Sequence, residues 1–175
     1  MCGIVLAMNA NMRQIVLVVH NLRSCHNVGS LLRTAEGIGV EKVILSGYTP
    51  HPAVTGDTRM PHEVTKIEKQ IHKTALGAES LVDWEYLPDI FTCIEVYRAE
   101  GWRIAAIEQD SGSINLPDFL PAQKIVLIVG REVEGIEPEV LEAVDSCLEI
   151  SMYGQKESFN VVQAAAMALY HCRFN

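Results

Sequence analysis

Short, unbroken apolar runs alternate along the chain with longer stretches whose apolar residues recur every three or four positions. Gln14–His20 (QIVLVVH) is the first run. Its unbroken, β-branched character is that of a strand covered on both faces, the pattern of a parallel sheet. After a polar turn, Val28, Leu31, Leu32, Ala35 and Ile38 repeat at helical spacing. They form one apolar face, with Asn27 placed to cap the helix start and Gly37 and Gly39 to end it. Arg33 projects from roughly the opposite face, on the side of Gly29 and Ser30. Lys42–Leu45 is a second short strand, which makes a βαβ unit whose right-handed crossover requires a parallel pair.

The alternation continues to the end of the chain. Leu81–Leu87 reads as a strand with Trp84 and Tyr86 on one face. Pro88-Asp89 opens a helix with an apolar side of Phe91, Ile94, Val96 and Tyr97, ended by Gly101. Trp102–Ile107 is the next strand, and Glu108–Leu120 reads as a polar loop. Ile125–Val129 and Cys147–Met152 are the last apolar runs, separated by a helix that starts at Pro138 and carries Val140, Leu141 and Val144. The first of them ends in Gly130-Arg131-Glu132 and the second in Gly154; Ser158-Phe159-Asn160 then opens a final helix. Regular alternation of strand and helix predicts an α/β class with a mostly parallel sheet flanked by helices. Neither a repeat nor a linker interrupts it, so residues 1–175 read as a single domain. Residues 1–13 read as an extra strand or a loose tail.

Ligands in such sheets sit beyond the carboxyl ends of the strands, where Gly130 and Gly154 fall. Glycine-containing loops there expose backbone N–H and C=O groups to a small molecule. The final helix is a separate signal: from Val161 to Cys172 nearly every residue is apolar. A helix apolar all round needs cover on all sides. A symmetric homodimer through this helix would supply it; the alternative is a central core helix in a monomer.

Composition narrows the picture. A hydrophobic content of 49 % and a charged content of 21 % are ordinary for a globular protein. The net charge of −8 excludes a basic field over the whole molecule. A local basic patch stays open, because salt limits the reach of charge to about 8–10 Å. Arg59, His62, Lys66, Lys69, His72 and Lys73 form the densest basic stretch, diluted by Glu63 and Glu68. It reads equally as a solvated helix face or as a face that contacts phosphate. The five cysteines (Cys2, Cys25, Cys93, Cys147, Cys172) form no CxxC pair and read as free thiols of a reducing cytoplasm, with no metal site. No apolar run has membrane-spanning length, so no membrane partner is expected. Cys25-His26 places a nucleophile beside a base, but adjacent residues seldom face one another and no orienting acid is in view. The opening Met1-Cys2-Gly3-Ile4-Val5 resembles the start of class II glutamine amidotransferases, with Cys2 as nucleophile. Nothing else in the chain follows that family.

Three separated pieces stand in order: Asn27-Val28-Gly29-Ser30-Leu31-Leu32-Arg33-Thr34-Ala35; Ile128-Val129-Gly130-Arg131-Glu132-Val133-Glu134-Gly135-Ile136; and Ile150-Ser151-Met152-Tyr153-Gly154 with Ser158-Phe159-Asn160-Val161. Together they resemble the signature motifs of the SpoU/TrmH branch of the SPOUT superfamily, the RNA ribose 2′-O-methyltransferases. Ser151 stands where that family often has proline, and Phe159 where it has leucine. The resemblance implies a C-terminal deep trefoil knot and S-adenosylmethionine held by Gly130, Ile150, Met152, Ser158 and Phe159, with Ala106 or Ile107 from the preceding strand end. It implies Arg33 as the central catalytic residue, oriented with the ribose by Asn27, Glu132, Ser158 and Asn160. RNA is the implied partner, tRNA before rRNA, with Arg23, Arg59, Lys66, Lys69 and Lys73 as the candidate contacts. The other function class compatible with the pattern is a non-catalytic RNA-binding or assembly factor that keeps the fold.

Overall fold

The computed structural model describes residues 12–175. The proposed tail and the Cys2 nucleophile fall on residues 1–11 and lie outside the described residues. The elements are β1 (Gln14–His20), α1 (Cys25–Ile38), β2 (Lys42–Ser46), α2 (Pro61–Ala75), β3 (Trp84–Leu87), α3 (Ile90–Ala99), β4 (Arg103–Ile107), β5 (Ile114–Asn115), β6 (Lys124–Val129), α4 (Pro138–Ala143), β7 (Ser146–Glu149) and α5 (Val161–Phe174). One seven-stranded sheet runs in the order β3-β2-β1-β6-β4-β7-β5. Every strand pair in it is parallel.

Side chains alternate across the sheet, so each strand feeds two cores. Ile15, Leu17 and Val19 of β1 face the layer of α1, α2 and α5, together with Leu31, Leu32, Ile71, Ala165 and Leu169. Val16 and Val18 face α3 and α4, together with Ile90, Ile94 and Val140. Burial on both faces is why these strands read as unbroken apolar runs.

Several expectations shift by small, physically legible amounts. Helix α1 starts two residues before Asn27, and its cap is Ser24, whose hydroxyl accepts the Asn27 N–H. The Asn27 side chain is thereby released for other work. The inward face of α3 is Ile90, Cys93 and Ile94, whereas Phe91 and Val96 are exposed. The polar loop after β4 contains β5, two residues paired with β7, too short to leave a period-two signal. Helix α5 buries Ala165, Ala168, Leu169 and Cys172, but leaves Tyr170 62 % and Phe174 64 % exposed, so this chain covers only part of it. Its last turn is anchored by Arg173, which is buried and donates to the carbonyls of Arg13 and Gly39 beside the Glu41 carboxylate. Among the described residues the cysteines Cys25, Cys93, Cys147 and Cys172 are free, and no helix is long and apolar enough to cross a membrane.

Helix α1 is held between the sheet and α2, and Gly29 makes the closest approach. A Cβ there would sit 2.2 Å from the Ile71 carbonyl oxygen and 2.3 Å from Thr74 Oγ1. Gly37, on the same helix, has nothing within 4 Å of such a carbon. Gly29→Ala should therefore destabilise the fold by about 1–3 kcal/mol through overpacking. Gly37→Ala should stabilise it by up to about 1 kcal/mol through helix propensity alone. Urea melts of the two variants check the contrast, and equal shifts would refute the packing account.

Candidate active site

Strand order reverses between β1 and β6: α1 leaves β1 on one side of the sheet, while α4 follows β6 on the other. Loops that part in this way open a crevice at the carboxyl ends of the strands. A cavity of about 280 Å³ lies beside it, beyond the carboxyl ends of β6, β4 and β7, near the small end of the range for small-molecule sites. Ile107 and Glu108 after β4, Gly130–Gly135 after β6, Glu149 and Ile150 after β7, and Glu157–Phe159 before α5 line it; Val161 and Ala164 of α5 close one side.

Two glycines of this wall stand where a side chain has no room. A Cβ on Gly130 would meet Ile136 Cγ1 at 2.5 Å and the Gly135 backbone at 3.0 Å. Gly135 has φ +70°, and a side chain there would strike the Glu108 carboxylate. Glu108 in turn accepts the Ile136 N–H at 3.1 Å, tying the β4 end to the loop after β6.

Glu132 organises the opposite rim. Its carboxylate accepts from Asn27 Nδ2 (2.9 Å), the Ser24 N–H (3.3 Å) and the Arg23 N–H (3.4 Å). Burial would raise the Glu132 carboxyl, but the Asn27 amide and these backbone donors outweigh it and hold the group below its ordinary value. An anion at the head of α1 is also favoured by the helix dipole. With its amide donated to Glu132, Asn27 turns Oδ1 toward Asn160 Nδ2 at 3.5 Å. Asn160 also caps α5 by accepting the Val162 N–H at 2.9 Å. The three motif segments meet through this Glu132–Asn27–Asn160 chain.

A sequence model described as the SpoU rRNA Methylase family matches residues 14–170. The chain belongs to that family. It is 25 % identical over 161 residues to a tRNA (guanosine(18)-2′-O)-methyltransferase of Aquifex aeolicus, covering 92 % of this chain and 69 % of that one. It is 27 % identical over 158 residues to the 23S rRNA (guanosine(2553)-2′-O)-methyltransferase RlmP of Bacillus subtilis, covering 90 % of this chain and 57 % of that one. The fold is that of an AdoMet-bound rRNA methyltransferase from Sinorhizobium meliloti, with a TM-score of 0.75 at 20 % identity over 91 % of this chain and 56 % of that one. The chain thus spans between about half and two-thirds of these longer proteins.

The departures from the SpoU pattern have structural counterparts. Ser151, in place of proline, donates its hydroxyl to Asn115 Oδ1 on β5, a tether that restrains the loop in another way. Phe159 lines the cavity and is 38 % exposed. Of the residues expected around a cofactor, Ile107, Gly130, Ile150, Ser158 and Phe159 line the cavity. Ala106 does not: alternation along β4 turns it into the α3/α4 core, so only Ile107 faces the site. Met152 is half-buried and lies outside the lining.

Glu132 and Ser158 line the cavity, and Asn27 and Asn160 stand behind its rim. Arg33 is exposed on α1, away from the lining, and alone among the arginines it has no hydrogen bond or ion pair with any described residue. Arg23 is exposed and pairs with Glu134 at 2.9 Å. Arg59 has internal partners: its guanidinium bonds Asp57, the His51 carbonyl (3.0 Å) and the Pro52 carbonyl (3.0 Å), bracing the loop before α2. That bonding holds the Asp57 carboxyl well below the usual carboxylate range. Burial pushes the Cys25 thiol up, which disfavours its thiolate. Among the described residues no cluster of three or more His, Cys, Asp or Glu side chains could hold a metal.

Sequence reasoning missed a second polar network behind the cavity wall. Glu137 accepts from Asn21 Nδ2 at 2.8 Å and lies 3.6 Å from Arg131 Nη2, while buried His20 bonds Ser46. Asn21 adopts φ 53°, unusual for a residue other than glycine, and a polar turn gives no sign of it.

Glu132→Gln replaces one acceptor oxygen by an NH₂ group facing N–H donors, so it should cost about 1–3 kcal/mol at pH 7. The folded-state pKa lies below the ordinary 4.5. The carboxylate's advantage is therefore complete above that pH and is lost as pH falls through the folded value. Denaturation of both proteins at neutral and acidic pH should show the gap closing on acidification; a gap that stays constant would assign it to packing.

Proposed function

We propose that the chain is an S-adenosylmethionine-dependent methyltransferase acting on a ribose 2′-hydroxyl of RNA, with tRNA favoured over rRNA. One observation carries this reading: three distant motif segments meet at one cavity, registered by the Glu132–Asn27–Asn160 chain. The residues present fit the cofactor. Ile107, Ile150, Val161 and Ala164 offer apolar surface to an adenine, and Gly130 leaves backbone edges open to it. Glu108, Glu149 and Glu157 put negative charge around a cationic ligand. When bound, S-adenosylmethionine supplies an electrophilic methyl group on a sulfonium.

The protein's part is to place the ribose oxygen in line and ease removal of its proton. Arg33 is a guanidinium that stays charged, so it is no general base. It holds an RNA phosphate and stabilises the developing alkoxide, while phosphate or water takes the proton. Asn27, Glu132, Ser158 and Asn160 orient the ribose and the loops around it. Arg23, Lys66, Lys69 and Lys73 contact the RNA; Arg59, committed to its loop, does not. The exposed Tyr170–Phe174 pair, with ring centroids 4.6 Å apart, is the face over which α5 forms a homodimer. The C-terminal segment is threaded as a trefoil knot, and the enzyme works in the cytoplasm.

Incubation with labelled S-adenosylmethionine and separated small and large RNA fractions, followed by nuclease digestion, should give label in a 2′-O-methylated nucleoside. Arg33→Ala should lower turnover roughly 10²–10³-fold, the loss typical of removing a donor to the transition-state oxyanion. Because Arg33 lies off the cavity, cofactor affinity measured by calorimetry should stay at the parent value. Near-parent turnover in this variant would remove Arg33 from the mechanism.

A further inference from the structure

A second concavity, of about 680 Å³, lies between α2, the segments that precede and follow it, and the start of β3. Its lining includes the indole of Trp84, with Lys69, His72 and Lys73 along one wall and Pro52 at the rim. The Trp84 N–H is committed to the Glu79 carbonyl at 3.0 Å, which fixes the ring. A fixed, half-buried indole in an open groove is a stacking platform.

The charge around it is uneven in a way that points to phosphate. His62, Lys66, Lys69 and Lys73 follow one another at spacings of four, three and four, so they share one face of α2, and all are exposed. Among the described residues, none of these three lysines has a carboxylate within salt-bridge distance. The carboxylates of the groove are engaged internally: Glu68 accepts the Ala53 N–H at 3.1 Å, and Glu79 accepts the Gly77 N–H at 3.0 Å and pairs with His72. The stripe therefore presents three lysine ammoniums that have no ion pair among the described residues, in a chain of net charge −8.

Helix α2 also touches the head of α1, which carries part of the active-site rim. Thr74, next to Lys73, donates to the His26 carbonyl at 2.8 Å, and His26 precedes Asn27. A polyanion that follows α2 toward its C-terminus arrives at the rim where Asn27 and Glu132 stand.

We propose that this groove takes a base of the substrate RNA, from a single-stranded nucleotide near the methylated one. The base stacks on Trp84, and its flanking phosphates lie along Lys66, Lys69 and Lys73. The assignment rests on the RNA methyltransferase reading and adds a base-binding subsite to it. Stacking is tolerant of base identity, so the subsite selects unpaired strand rather than sequence.

The test uses the full chain carrying Trp102→Phe, which leaves Trp84 as the one tryptophan. Short single-stranded oligoribonucleotides and matched duplexes are titrated while its emission is followed. Single strands should quench Trp84, and duplexes should not. Trp84→Leu should weaken single-strand binding roughly 5- to 100-fold, as loss of one stacked base does. Lys69→Gln/Lys73→Gln, a surface change that spares the core, should lower the slope of log affinity against log salt by about 1.4, roughly 0.7 for each phosphate contact on a single strand. S-adenosylmethionine binding by calorimetry should be unchanged in both variants. RNA that is bound and methylated with unquenched Trp84 and an unaltered salt slope would overturn the groove and leave the methyltransferase reading intact. A parent that neither binds nor methylates RNA would overturn both. A change in sedimentation without a change in RNA affinity in Trp84→Leu would assign the groove to protein contact and overturn the proposal.

Discussion

A carboxylate withdrawn from water must collect donors or lose its charge, and Glu132 collects them from the head of α1. Its partners are the Arg23 and Ser24 N–H groups and the Asn27 amide. Those contacts fix more than one side chain. They pin the loop after β6 to the loop after β1, and they orient Asn27 so that its free oxygen faces Asn160 before α5. Gly130 and Gly135 let the pinned loop lie flat against Ile136 and Glu108. The cavity is the space left among these segments, which Glu108 and Gln109 also tie to the end of β4 and to the loop before α5.

The Glu132 anchor works because the sheet has already brought the segments to one edge. Both faces of β1 and β6 are buried, so neither strand can slip by a residue without driving its whole set of side chains into the wrong core. The register β1 to β6, running from Gln14↔Lys124 to Val19↔Val129, sets the level at which Gly130 and the start of the β1–α1 turn emerge. Helix α5 returns to the α1 side and lays Val161 and Ala164 across the opening. Polar chemistry at the rim is thus registered by apolar packing beneath it.

Much of this is legible in the order of residues alone. Unbroken runs at Gln14–His20 and Ile125–Val129 announce buried parallel strands, and the three polar motifs announce which loops must meet. What stays hidden depends on details that a pattern does not encode. Asn27 and Ser24 are equally good caps by residue type, and only the position of Glu132 decides which one is free to cap. Ala106 and Ile107 are neighbours at a strand end, and the pleat alone decides which faces the cavity. Arg173 sits at the end of an apolar helix and looks like a surface residue, yet the carbonyls of Arg13 and Gly39 lie where its fork can reach them. Two residues of β5 cannot show alternation at all.

The division of labour between the two kinds of cation gives the site its direction. A guanidinium presents a rigid fork of donors that suits backbone carbonyls, whereas an ammonium on a flexible stem is easily left in water. Here Arg13, Arg59, Arg98, Arg131 and Arg173 all donate to carbonyls of this chain and act as internal braces. Of the lysines, Lys42 pairs with Asp83 and Glu85 and Lys124 donates to the Glu100 carbonyl, while three others share one exposed face of α2. Against that background Arg33 is the exception: an arginine on an exposed helix face, without a carbonyl or a carboxylate among the described residues. Folding has used the other forks and left this one facing outward. With a net charge of −8 and salt confining the reach of each charge to about a Debye length, any attraction of a polyanion must come from local cations at short range. The lysine face of α2 and the unspent fork of Arg33 are the features placed to supply it, on two helices whose contact at Gly29 is too close to admit a methyl group.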